Sequence, residues 1–493
     1  MQFIDATGRH MTGTNTETGL PQLEARLRQD MAFLNLPAKA WVPAREVDGR
    51  RVLDVAVIGG GMLGLVTLAA LKMIGVDHVE GFDRAPAGTE GPWITSARME
   101  TLRTRKEAAG PALGVPSLTF RAWFEAQYGA AEFAAMERIP RTLWMDYLVW
   151  YRKVLALPVS NETSLQNLAL RADGLLALTL ESPHGRQEIL ARRLVLAMGI
   201  DGLGGPSLPP IARSLPPHLV AHSSDLIDLP ALRGRRVAVI GAGASAMDNA
   251  AAALEAGASS VDIFIRRPDI PRIDKFTGVG SRGMIFGYVG LPDDVKWRYM
   301  LEGERAQIPP PRHSVLRVSR HANARFHLES PITALAERDG AVEIETPKGR
   351  YAADFVIFAT GFAVDLARRP ELSALAGKVQ RWNDAYQPPA GLEHTGLAEM
   401  PYLGPGFEFT PAAGAPDAIS NIYCFSYPAV LSHGKITSGV PSIGEGAARM
   451  AQAIARSLFV EDRALHFETF ARYSVPELLG DEWIDADEKV LTE

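Results

Sequence analysis

RRVAVIGAGASAMDNA, residues 235–250, opens with a short valine-rich run, turns at two glycines and continues as an alanine-rich segment. A strand buried on both faces, a tight turn and a helix produce this pattern. Gly241 and Gly243 hold the first two glycine positions of G-x-G-x-x-G, and Ala246 holds the third. The first glycine makes the turn, the second lets the backbone approach a pyrophosphate, and a small third residue lets the helix pack on the strand. Ser245 can add a hydroxyl at the helix start. An earlier stretch, RRVLDVAVIGGGMLGLVTLAA at residues 50–70, has the same form, with Gly59, Gly61 and Gly64 in the full spacing. One such unit binds one nucleotide, so a chain with two is predicted to hold two nucleotide cofactors that meet.

The strand after each loop separates the two units. In the first, HVEGFDRA (78–85) ends near Asp83, where a carboxylate accepts hydrogen bonds from a ribose 2′-OH and repels a 2′-phosphate. Glu80 competes for this role. In the second, SSVDIFIRRPDIPRI (259–273) ends in Arg266 and Arg267, whose guanidinium groups match a phosphate in charge and geometry. FAD at the first loop and NADPH at the second satisfy both.

The bulk numbers agree with an enzyme of small molecules. The 493 residues suffice for two or three domains, and 47% hydrophobic with 22% charged residues is globular. A net charge of −6 argues against nucleic acid or an anionic membrane as partner. Cys424 is the sole cysteine, which excludes an internal disulfide, a Cys-pair redox centre and a thiolate metal site. No metal site is expected, and a reducing cytoplasm is the expected location. The N-terminus lacks the apolar run of a signal peptide. Residues 55–75 are apolar enough to mimic a membrane span, but their three glycines fit strand-turn-helix better.

The predicted fold is α/β: two Rossmann-like three-layer domains, the NADPH domain inserted into a discontinuous FAD domain. A hairpin-plus-strand pattern occurs on both sides of the second unit, at 175–199 and 331–362. The expected boundaries are a helical extension over 1–49, an FAD domain over 50–226 and 331–480, an NADPH domain over 227–330, and a tail over 481–493. The aromatic helices at 118–156 read as core.

The paired glycine loops give the sequence a form that resembles the two-dinucleotide (class B) flavin monooxygenases. DFVIFATGF (354–362) looks like their ATG motif at Ala359, Thr360 and Gly361, and LVLAMG, with Ala197 and Gly199, is similar to a weaker earlier copy. Gly91–Trp93 resembles their G-G-x-W beside the flavin. VAHSSDL (220–226), GAGASA (241–246) and LSHGKITSG (431–439) resemble segments of the siderophore-type amine N-hydroxylases. The Baeyer–Villiger fingerprint is not intact. ARMETLRTRKE (97–107) departs from the ornithine and lysine hydroxylases: Glu100 stands where they keep a glutamine, and Lys106 matches their substrate-carboxylate lysine only loosely.

The resemblance implies that NADPH reduces FAD and that a flavin C4a-(hydro)peroxide oxygenates a small molecule, with N-hydroxylation favoured. Baeyer–Villiger or sulfur oxygenation on the same scaffold, and an NADPH oxidase or flavin reductase, are the alternatives. The expected partners are a small-molecule substrate and O2, with self-association left open. Candidate catalytic residues are Arg98, His222, Lys275 and His433, and Trp93 is expected beside the flavin.

Overall fold

The computed structural model describes residues 2–4, 10–12, 16–437 and 439–486. It contains two parallel sheets, each carrying one of the glycine loops. In the first, Leu53–Ile58 lies between Val79–Phe82 and the end of the long Gly185–Leu196 strand, parallel to both. Ile422–Cys424 adds a parallel strand against the other edge of residues 194–196. The first half of Gly185–Leu196 continues a meander with Ser164–Leu170 and Leu176–Ser182, making seven strands with Val159–Ser160.

All six residues of Leu53–Ile58 are buried, and the Met62–Met73 helix that follows is buried on nearly every side. A helix apolar all round needs cover all round, and the Ile443–Glu461 helix packs on it from the far end of the chain. This explains the membrane-like composition of residues 55–75. Among the described residues no helix is long and apolar enough to cross a membrane. The aromatic segment forms Phe120–Tyr128, Ala130–Ala135 and Arg141–Val154, whose Phe120, Trp123, Phe124, Trp144 and Tyr147 lie in the first domain's core.

The second sheet has five parallel strands in the order Val220–His222, Phe355–Phe358, Arg236–Ile240, Ser260–Phe264, Ala324–His327. This corrects the expected boundaries at 227 and 331. Two strands expected in the first domain pair with the second instead, because FVIF offers an apolar run that either sheet could bury and the hydrogen bonds join it to Arg236–Ile240. A three-stranded meander, residues 334–353, precedes it. The repeated hairpin-plus-strand pattern is therefore one copy per domain. The chain crosses between domains where Gly204–Pro206 runs antiparallel to Phe362–Val364. The first domain remains discontinuous, since Ile422–Cys424 and Ile443–Glu461 return to it. The N-terminal extension contains the helix Thr16–Phe33, and most of the tail expected at 481–493 lies outside the described residues.

Candidate functional site

The two glycine loops are built alike. Gly59 has φ +110° and Gly241 φ +146°, so each makes its turn where side chains are disfavoured. A Cβ on Gly59 would meet the Ala197 carbonyl oxygen at 2.5 Å, and one on Gly241 the Ala359 carbonyl oxygen at 2.5 Å. LVLAMG and VIFATG thus occupy the same place in the two domains. Gly64 touches the Gly59 carbonyl, 1.8 Å from an added Cβ, while fully buried Ala246 fills the matching place. Gly61 and Gly243 each begin a 12-residue helix in extended conformation with no side-chain cap. Beside Gly61 the nearest atom to an added Cβ is Gly91 N at 3.7 Å, and beside Gly243 nothing lies within 4 Å. Uncapped N–H groups facing unfilled space beside a glycine fit a pyrophosphate.

Asp83 reaches the first loop: its Oδ2 accepts from Gly60 N–H at 2.6 Å and its Oδ1 from Ala85 N–H at 2.8 Å. Glu80 instead accepts from the Ser160 hydroxyl at 2.6 Å on the neighbouring strand. At the second loop, Ser245 is exposed on the first helical turn. Arg266 is exposed and makes no hydrogen bond or ion pair among the described residues, whereas Arg267 donates to the Arg305 carbonyl at 3.0 Å. Arg266 is thus the freer of the two for a 2′-phosphate.

The residues expected to do chemistry are distributed. No hydrogen bond or ion pair joins any two of Arg98, His222, Lys275 and His433 among the described residues. His222 is a strut: one ring nitrogen meets the Gly361 carbonyl at 3.0 Å, the other Ser224 Oγ at 2.7 Å. The carbonyl only accepts, so Nε2 carries the proton. Burial holds this imidazole below its ordinary range. The Gly361 carbonyl also accepts from Ser207 N–H, and the Thr360 hydroxyl donates to the Ser207 carbonyl, so His222 and the ATG turn brace the crossing between domains. Arg98 spans the same crossing, donating to the Asp225 carbonyl at 3.0 Å, while Asp225 Oδ2 accepts from His222 N–H. Trp93 is half-buried, edge-on to Trp144, with its carbonyl accepting from Arg141.

Lys106 donates to the carbonyls of Phe133, Ala134 and Met136 at 2.7, 2.9 and 2.5 Å, capping the end of Ala130–Ala135. All three of its donors are satisfied within the fold. Lys275 is exposed at the start of the Lys275–Val279 turn.

His433 is buried in packing. Its ring stacks on Phe407 at 3.7 Å and its Nε2 donates to the Gly404 carbonyl at 3.0 Å. Burial, with the Arg449 charge adding, pushes its pKa down to about 3. The unfolded chain therefore binds a proton below pH 6.5 that the folded chain refuses, and stability falls as pH drops through that window. The expected loss between pH 6.5 and 5 is about 2 kcal/mol from this residue. Melting His433→Phe beside the parent at both pH values checks it: the variant should lose less on acidification, and an unchanged acid slope would refute the assignment.

Sequence reasoning passed over the contacts that join the loop at 95–105 to the second domain. Arg317 is 6% exposed and binds Glu255 at 2.6 Å, the Arg98 carbonyl at 3.1 Å and Glu100 at 3.6 Å. Arg103 pairs with Asp274 at 3.2 Å. A charge pattern gives no sign of a partner some 170–220 residues away.

Two glycine-loop domains joined through a braced crossing define a two-dinucleotide α/β oxidoreductase. The family model for L-lysine 6-monooxygenase/L-ornithine 5-monooxygenase matches residues 117–278. Among solved structures the fold is similar to the ornithine N-hydroxylase of Kutzneria sp. 744 with reduced FAD, NADP+ and L-ornithine (TM-score 0.64, 15% identity, 82% of this chain and 99% of that one). It is also similar to the ornithine hydroxylase of Pseudomonas aeruginosa (TM-score 0.63, 16% identity, 83% and 100%). In sequence it is 40% identical over 468 residues to the FAD-dependent urate hydroxylase of Xanthomonas campestris pv. campestris, spanning 94% of this chain and 98% of that protein. The chain belongs to this family of FAD-dependent monooxygenases.

Proposed function

We propose that the protein uses NADPH and O2 to hydroxylate urate or a closely related planar purine anion. The observation that carries this reading is the 40% identity running through nearly the whole of the urate hydroxylase. The siderophore-type amine hydroxylases share the fold at 14–18% identity. Lys106 supports the same reading: the lysine nearest the position expected to bind an amino-acid carboxylate caps a helix instead.

The balanced reaction is substrate, O2, NADPH and a proton giving hydroxylated substrate, NADP+ and water. Bound FAD supplies the redox chemistry, taking two electrons from the nicotinamide and activating O2. The chain's own residues bind and orient. Gly59, Gly61, Gly64 and Asp83 would hold the FAD pyrophosphate and ribose, with Trp93 beside the ring. Gly241, Gly243, Ser245 and Ala246 would seat the NADPH pyrophosphate, with Arg266 on its 2′-phosphate. His222, Arg98, Thr360 and Gly361 keep the two domains in register, which fixes the distance a hydride must cross.

The test is NADPH and O2 consumption with and without urate, with product analysis. Urate-stimulated consumption coupled to loss of urate is the expected result. Unstimulated consumption ending in hydrogen peroxide would mean an oxidase. Amine N-hydroxylation is the second reading, favoured by the solved structures of like fold, and stimulation by ornithine, lysine or cadaverine would select it.

Arg266→Ala is expected to raise the KM for NADPH by about 30-fold and leave that for NADH nearly unchanged, since a charged hydrogen bond to phosphate is lost. Arg267→Ala should do less, its guanidinium being tied to Arg305. Equal effects on both nucleotides would refute the 2′-phosphate role.

A further inference from the structure

The segment His433–Thr437 follows the Ile422–Cys424 strand at the carboxyl end of the first parallel sheet, where Phe425 N–H and Tyr427 N–H bond the Leu196 and Gly199 carbonyls. Ligands of open α/β sheets bind beyond the carboxyl ends of the strands. From this segment Lys435 extends to the Lys275–Val279 turn, its Nζ 3.8 Å from the centre of the Phe276 ring. Lys435 is only partly exposed, yet among the described residues its ammonium meets no hydrogen-bond acceptor and no carboxylate within ion-pair distance. Asp274, the nearest charge by effect, is held by Arg103 and by Phe276 N–H. Its three N–H donors thus find no acceptor among the described residues and are open to a ligand. Nearby on the same segment, the buried hydroxyl of Thr437 also has no partner among the described residues.

Phe276 is placed to hold that lysine. Its turn begins at Asp274, which Arg103 anchors, and its ring lies on Gly303, where an added Cβ would sit 2.4 Å from the ring. The aromatic face accepts the cation and leaves its N–H groups free. The Lys275–Val279 turn, packed against the Tyr288 and Trp297 cluster, therefore holds a cation preorganised beyond the carboxyl end of the first sheet, with no carboxylate in ion-pair contact among the described residues.

We propose that Lys435, docked on Phe276, is the anion-recognising group of the substrate site, donating to a negatively charged oxygen or ring nitrogen of a planar purine anion. This rests on the urate reading and adds the residue that selects the anion. Burial also holds the Lys435 pKa below its usual value, as a desolvated site requires.

The test is equilibrium titration of the FAD-loaded protein with urate, read by perturbation of the flavin spectrum without NADPH. Lys435→Met keeps the stem on Phe276 and removes the charge. It is expected to weaken urate binding on the order of 10- to 100-fold, with NADPH affinity and anaerobic flavin reduction within about twofold of the parent. Lys435→Arg should restore most of the affinity. Equal urate affinity in parent and Lys435→Met overturns the proposal while the urate reading stands. A parent that reduces its flavin but takes no urate defeats the reading. Titration with benzoate then decides the anion site: tighter binding by the parent supports it, and equal or absent binding overturns it.

Discussion

Gly61→Ala protein is expected to fold and to purify without its yellow colour. Alanine meets no obstacle from the chain itself: Gly61 has φ −72°, and the added Cβ would sit 3.7 Å from its nearest neighbour, an ordinary contact. That Cβ points into the space the pyrophosphate is expected to fill, where it would keep the phosphate away from the helix N–H groups. Losing two or more charged hydrogen bonds should weaken FAD binding on the order of 100-fold or more. Gly64→Ala should behave differently, because its Cβ would lie 1.8 Å from the Gly59 carbonyl oxygen with backbone on both sides. Helix and strand would have to part, and little folded protein is expected. Gly243→Ala supplies the third arm: it should stay yellow and lose reduction by NADPH. Flavin-to-protein absorbance, circular dichroism and anaerobic reduction of the three variants decide the matter. A yellow Gly61→Ala protein with parental FAD content would refute the placement of FAD at the first loop.

The glycine positions could be read in advance because the rule behind them is local. Turn, close approach and helix packing are all decided within six residues, and both domains repeat the pattern with Ala246 standing where the first has Gly64. The acid at the end of the next strand follows the same local rule as far as its reach goes, since Asp83 accepts from the Gly60 N–H of the first loop. Domain boundaries follow no such rule. Phe355–Phe358 is an apolar run that either sheet could bury, and only its pairing with Arg236–Ile240 settles the choice. Histidines were ambiguous in another way. His222 and His433 stand in segments that resemble a family's functional motifs, but local sequence does not report burial. In the structure one braces the domain crossing and the other stacks on Phe407. Lys106 and Lys435 exchange apparent importance for a like reason. The first finds three carbonyls about 30 residues away, and the second finds an aromatic face 159 residues away and no acceptor among the described residues.

Arg192→Met is expected to destabilise the first domain by about 3 kcal/mol at pH 8. Arg192 is 1% exposed within the Gly185–Leu196 strand, and beside Arg193 it looks in sequence like part of a solvated edge. Its guanidinium lies 2.8 Å from Asp462, 3.3 Å from Glu461 and 3.8 Å from Asp54. It thereby ties the sheet to the end of the Ile443–Glu461 helix that covers the first-loop helix. Methionine fills similar volume and strips Asp54 and Asp462 of their ion-pair partner, while Glu461 keeps Arg193 at 2.8 Å and Arg45 at 2.9 Å. The cost depends on pH with a definite sign. Burial raises the Asp54 pKa from 3.8 to about 7, against the opposing pull of Arg192. A carboxyl raised on folding contributes a loss of stability that begins above its unfolded pKa and is complete once pH passes the folded one. Removing the arginine pushes Asp54 further up, so the Arg192→Met deficit should be smaller at pH 6, where Asp54 keeps its proton, than at pH 8. Asp54→Asn in the same background removes the stranded charge and should recover part of the loss at pH 8 and little at pH 6. Denaturant unfolding of the four proteins of this cycle at the two pH values measures the coupling. A pH-independent deficit would mean that Arg192 acts through packing alone.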